Sequence, residues 1–213
     1  MQKQKCRCTW CGDDPLYCEY HDTEWGVPLF DEQKLFEFLI LEAAQAGLSW
    51  ITVLRKRENY RKAFDNFDAQ KIARYTPAKI EKLMHNPGII RNRLKIESAI
   101  QNAKALLAMK ENGEDFCEFL WGFVNHKPIQ NKLGGMQDAV ATTPESDAMS
   151  KSLKKKGFNF VGSTICYAFM QACGMVNDHF VDCYRYKECL SLAKLALAKK
   201  KSPAVKSVAL NTP

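Results

Sequence analysis

The chain has 213 residues, 46% of them hydrophobic, which suffices for a packed core and excludes an intrinsically disordered protein. Its net charge of +7 weakly favours an anionic partner, and part of that excess lies in the basic C-terminal segment AKKKSPAVKSVALNTP. No run approaches the roughly 18 apolar residues of a membrane span, and the polar start MQKQKCRCTW lacks a signal-peptide core, so a cytoplasmic protein without membrane contact is expected.

In that compartment the nine cysteines are expected as thiols or metal ligands rather than disulfides. The first stretch, CRCTWCGDDPLYCEYH, crowds Cys6, Cys8, Cys11, Cys18 and His21 together. Cys8 and Cys11 form a C-x-x-C, which fits a zinc knuckle or a redox pair. The redox reading wants a βαβ context, and none is visible. Near the other end, NDHFVDC spaces His179 and Cys183 one helical turn apart, a good bidentate donor. Two ligands from each end would compose a tetrahedral zinc site with no open position, hence structural. Spacing alone leaves the N-terminal pair undecided. The competing reading is that these cysteines are small buried hydrophobes, which applies to Cys166 and Cys173 in an apolar helix.

The following elements read as helices. FDEQKLFEFLILEAAQAGLSW offers Asp31 as cap, an apolar run over Leu35 to Leu41, and Gly47 as stop. YTPAKIEKLMHNPG has Thr76 as cap and Pro77 at the first helical position, with Ile80, Leu83 and Met84 on one face. RNRLKIESAIQNAKALLAMKENG carries Ile96, Ile100, Ala103 and Leu107 at helical spacing and ends at Asn112-Gly113. Residues 125–145 read as a loop. DAMSKSLKKKG ends at Gly157, and STICYAFMQACG runs from a Ser163 cap to Gly174. Two-residue alternation is missing, so no strands are expected. The fold class is all-α, with a domain over 1–190 followed by a basic, flexible tail over 191–213.

Two constellations carry chemistry. Trp10, Tyr17, Tyr20, Trp25 and Trp50 surround one carboxylate, Glu42, which follows FLIL. As a plain helix glutamate beside core aromatics, it would be unremarked. As a pocket, aromatic faces attract flat cationic ligands and a fixed carboxylate accepts hydrogen bonds from an amino-bearing edge. LMHNPGIIRNRLKI places Pro-Gly between two helical patterns, with Arg91, Arg93 and Lys95 following, and resembles a helix-hairpin-helix (about 78–100) that binds DNA phosphate.

DPLYCEYHDTEWGVP, AGLSWITVLRKRENYRKAF, FDA, GIIRNRLKI, FLWGFVNHKP and SDAMSKSLKKKGFNFVGSTICYAFMQACGMVNDH together resemble the 3-methyladenine DNA glycosylase I family of the helix-hairpin-helix glycosylase superfamily. The resemblance covers about residues 8–183. It implies an all-α fold of two helical lobes with the termini joined by a structural zinc (Zn2+) on Cys8, His21, His179 and Cys183. Cys6, Cys11 and Cys18 fall outside the family's ligand positions. It further implies Glu42 as the catalytic carboxylate, and Tyr20, Trp50, Trp10, Trp25 and Gln45 around the base. Gly47 and Leu48 would fill the gap in the duplex, while Gly88, Arg91 and Arg93 contact DNA. The implied function is monofunctional hydrolytic excision of 3-methyladenine from double-stranded DNA containing alkylated purines, by a monomer. Asp178 and Asp147 lie in matching segments without an assigned role. A zinc-stapled DNA-binding module without catalysis is the competing class, and a redox protein using Cys8 and Cys11 is a third.

Overall fold

The computed structural model describes residues 5–201, and of 198–201 only the backbone. The N-terminal part comprises a 3-10 turn (Thr9–Cys11), α1 (Pro15–Thr23), α2 (Glu32–Gln45), α3 (Trp50–Leu54), α4 (Arg57–Ala63), a second 3-10 turn (Asp65–Phe67) and α5 (Ala69–Ile72). α6 (Pro77–Met84), α7 (Arg93–Glu111) and α8 (Phe116–Gly122) follow. β1 (Ile129–Gln130), a 3-10 turn (Met136–Asp138), α9 (Pro144–Lys155), α10 (Ser163–Ala172), β2 (Val176–Asn177) and α11 (Tyr184–Lys201) complete the described part.

α2 is the axis of the molecule. Leu35 to Ala44 are buried on every face, because LFEFLILEAA carries no polar stripe to turn toward water. The helix packs against α3, α7, α8 and α10. Asp31 caps its start by accepting from the Lys34 N–H at 2.9 Å. At its other end the Lys95 ammonium, on α7, donates to the carbonyls of Ala44 (2.8 Å) and Ala46 (2.6 Å), satisfying acceptors that the helix leaves open. Gly47 follows at φ +78° and turns the chain toward α3.

α10 docks on α2 and α9. Its exit is tied to the segment after α1. The Gly26 N–H donates to the Gln171 carbonyl and the Leu29 N–H to the Cys173 carbonyl, both at 3.1 Å. Gly174, at φ +66°, passes so close to that segment that a Cβ would lie 2.4 Å from the Val27 carbonyl carbon. Only glycine fits there.

Three expectations are corrected. β1 and β2 form a parallel pair with Ile129 opposite Val176 and Gln130 opposite Asn177, extended by a bridge between Leu133 and Phe180. A ladder two residues long has no room to display alternation, so sequence pattern cannot reveal it. The 125–145 loop therefore contains a strand and a 3-10 turn, and α9 begins inside it at Pro144. The cap of α10 is Gly162, not Ser163, whose hydroxyl instead binds Asp147 and lies 3.1 Å from the Ser146 hydroxyl. The Asp31, Thr76 and Pro77 boundaries stand where the sequence puts them. Of the 191–213 segment, the part up to Lys201 continues α11, with Ala193 buried; residues 202–213 lie outside the described residues.

Candidate active site

Two features lie side by side where the segment around Cys8 meets the segment around Cys183. The first is a cluster of Cys8, His21, His179 and Cys183, all buried, whose four ligand atoms lie within 4.8 Å of one another. Cys8 precedes the first 3-10 turn, His21 sits on α1, His179 follows β2, and Cys183 precedes α11. The Cys8 sulfur is 3.6 Å from His179 Nδ1, and the Cys183 sulfur is 3.5 Å from His21 Nε2 and 3.7 Å from His179 Nδ1. With metal–sulfur bonds of about 2.3 Å and metal–nitrogen bonds of about 2.0 Å, a tetrahedral zinc requires sulfur–nitrogen edges of about 3.5 Å. The donor set fits.

The outer nitrogens of both imidazoles are also engaged. His21 Nδ1 is 2.8 Å from Asp22, which in turn accepts a bidentate contact from Arg7. His179 Nε2 is 3.0 Å from the Trp25 carbonyl. Such partners fix ring orientation at metal centres. The other three N-terminal cysteines stand aside. The Cys11 thiol donates to the Cys8 carbonyl at 3.1 Å, the Cys18 thiol to the Gly12 carbonyl at 3.3 Å, and exposed Cys6 is 3.7 Å from Asp182.

The second feature is a cavity of about 310 Å³. Its near wall is Trp10, Tyr17, Tyr20, Trp25, Glu42, Gln45 and Trp50, so the structure gathers every residue that the sequence had assigned to the base and its carboxylate. Trp10 packs edge-on against Trp25 and Tyr17, at centroid distances of 4.8 and 5.0 Å, and Tyr20 lies 5.4 Å from Trp50. Glu42 is 3% exposed, and its carboxylate has no hydrogen-bond partner among the described residues. Burial pushes its pKa up to about 8.

The far wall was not anticipated. It comes from the 133–140 stretch (Leu133, Met136, Ala139, Val140), from Ala168 and Gln171 on α10, and from Asp178 and Phe180 beside the Cys/His cluster. The i, i+3 spacing of Ala168 and Gln171 is visible in sequence, but nothing local tells which helix face meets a cavity.

The remaining sequence-assigned residues lie outside the cavity. Leu48 is 39% exposed, next to cavity-lining Gln45, which donates to the Leu48 carbonyl at 3.1 Å. In the turn between α6 and α7, the Gly88 N–H is taken by the Asn86 side chain at 2.8 Å, and the Ile90 N–H by the Tyr60 hydroxyl at 3.1 Å. Arg93 is ion-paired to Glu81 and Glu97, whereas Arg91 is exposed and makes no ion pair among the described residues.

A profile of the methyladenine glycosylase family matches residues 10–186. The chain belongs to that family. It is 56% identical over 180 residues to DNA-3-methyladenine glycosylase 1 of Escherichia coli K12, covering 84% of this chain and 96% of the relative. A crystal structure of a 3-methyladenine DNA glycosylase I superposes with a TM-score of 0.83 at 55% identity, covering 84% of this chain and 98% of the other. The Staphylococcus aureus 3-methyladenine DNA glycosylase I, whose structure concerns 3-methyladenine recognition, superposes at 0.81 with 37% identity, covering 84% and 95%. Like the rest of the methyladenine glycosylase family, this chain is an enzyme acting on N-glycosyl bonds. No helix among the described residues is long and apolar enough to cross a membrane.

Proposed function

We propose that the enzyme removes 3-methyladenine from alkylated double-stranded DNA by rotating the nucleotide into the cavity and hydrolysing its N-glycosidic bond. The observation that carries this reading is Glu42, a buried carboxylate without a partner, facing a cavity walled by aromatic rings. A purine methylated at a ring nitrogen is flat and positively charged. The rings attract that charge, and the carboxylate, neutral near pH 7 in the empty cavity, ionises when the cation arrives and accepts hydrogen bonds from its amino-bearing edge.

The glycosidic bond of such a base is weak because its electron pair returns to the ring and discharges it. No acid is needed to protonate the leaving group. Water supplies the oxygen that bonds to the sugar carbon, and its excess proton passes to solvent. Catalysis then rests on extrusion of the base and on holding the cation. Among the described residues no lysine lines the cavity, which supports a monofunctional enzyme that leaves an abasic site. Leu48, exposed beside Gln45, suits insertion into the emptied stack behind Gly47. The α6–α7 unit is read as the helix-hairpin-helix of a two-lobed glycosylase. Because the Gly88 N–H is occupied, phosphate would meet Arg91 and the free N–H groups at the start of α7. Cys8, His21, His179 and Cys183 would hold a zinc ion that supplies no chemistry to the reaction and fixes the chain ends around the cavity. The enzyme is read as a cytoplasmic monomer.

Replacement of Glu42 by Gln, or of Trp50 by Ala, is expected to lower release of free 3-methyladenine from methylated duplex DNA by a factor of roughly 10 to 1,000 while the protein stays folded by circular dichroism. Unchanged release in both variants would refute the cavity as the base site. A DNA-binding module without catalysis predicts no release from the wild type at all.

A further inference from the structure

The far wall of the cavity contains a second carboxylate that the mechanism above does not use. Asp178 is 3% exposed and forms no ion pair among the described residues. Three neutral groups surround it instead. Its Oδ1 accepts from Asn131 Nδ2 at 2.6 Å, and its Oδ2 accepts from the Tyr167 hydroxyl at 2.7 Å and from Gln171 Nε2 at 2.8 Å. The clamp is assembled from separate elements. Tyr167 and Gln171 stand one turn apart on α10, and the β1–β2 ladder carries Asn131 alongside, its N–H donating to the Asn177 carbonyl at 3.3 Å.

This clamp fixes the neighbouring amide. A carboxylate accepts and does not donate, so the end of Gln171 that touches Asp178 must be its nitrogen. Its Oε1 is therefore turned away from Asp178, and no group among the described residues donates to it. Gln171 and Asp178 both line the cavity. An amide free to rotate would offer either end to a ligand; in this one Asp178 holds an N–H of the nitrogen, which fixes the oxygen as the end that accepts.

We propose that Gln171 is a specificity-determining residue that reads the exocyclic amino group of the bound base, and that Asp178 is the positioning residue that holds it in the accepting orientation. The proposal rests on the reading of the cavity as the base pocket. An amino group carries two N–H donors, so Glu42 and Gln171 can share it, one as a charged and one as a neutral acceptor. A 6-oxo purine brings a carbonyl to the same place, and the carbonyl and the Gln171 oxygen repel each other.

The test compares release of 3-methyladenine and 3-methylguanine from methylated duplex DNA by the wild type, Gln171→Leu and Asp178→Asn. Gln171→Leu keeps the backbone carbonyl that Gly26 uses and removes only the amide. The expected result is a loss of about tenfold in kcat/KM for 3-methyladenine with 3-methylguanine unchanged or improved, so that the selectivity ratio falls by about tenfold or more. Asp178→Asn, which lets the Gln171 amide turn over, is expected to lower the same ratio. A parallel loss for both bases, or an unchanged ratio in Gln171→Leu, would overturn the proposal while leaving the glycosylase reading intact. Release of neither base by the wild type would overturn that reading, and this proposal with it.

Discussion

Glu42 carries a linked cost that pH should expose. Its side chain titrates near 8 in the folded state, against about 4.5 for an ordinary glutamate, because burial disfavours the charge. Between these values the folded protein holds a proton that the unfolded chain has released. Stability therefore falls as pH rises from about 4.5 to about 8 and levels off above, a penalty of several kcal/mol at most. Glu42→Gln removes the ionisation, so its melting temperature is expected to exceed that of the wild type by a margin that widens through this window. Parallel melting curves across the window would show that Glu42 is not held neutral. The aromatic partners of Glu42 were legible in sequence because they fall within forty-one residues, from Trp10 to Trp50. Gln171 and Asp178 were not, since their role depends on contacts with Asn131 and Tyr167 that only the folded chain creates.

Among the elements, α2 places Glu42 at depth and α7 holds the end of α2. Lys95 does so with two hydrogen bonds to carbonyls just ahead of Gly47 and Leu48. In sequence Lys95 read as one more cation for DNA, because a basic side chain near a turn gives no sign that a helix terminus lies beside it. Its replacement by Met retains the apolar stem and removes the donors. The variant is expected to lose about 1–2 kcal/mol, seen as a lower urea midpoint at unchanged slope. An unmoved midpoint would mean that solvent satisfies those carbonyls equally well. The helix starts at Asp31 and Thr76 were legible because a cap bond is local, spanning three residues. The β1–β2 pair escaped notice because its partners are some forty-seven residues apart.

For the whole molecule the decisive link is between the ends. Sequence spacing alone justified a closed tetrahedral site but left the N-terminal ligands open; family resemblance chose Cys8 and His21, and these are the residues that the fold brings to His179 and Cys183. Cys8→Ser is expected to abolish bound zinc and to lower the melting temperature by roughly 6–12 °C, corresponding to about 3 kcal/mol. Cys11→Ser should retain one equivalent, because Cys11 only donates to a backbone carbonyl. Elemental analysis of both purified proteins decides the matter, and one equivalent retained by Cys8→Ser would remove Cys8 from the ligand set.

The cavity is bounded on one side by Trp10 and on the other by Phe180, and the cluster that brings these together ends at Cys183. Most of the described chain must therefore be made before both walls of the cavity are present. On the ribosome, a nascent polypeptide that still lacks its last ligand can bury α2 but cannot yet enclose a base. Catalytic competence therefore arrives late in synthesis and belongs to no N-terminal segment alone.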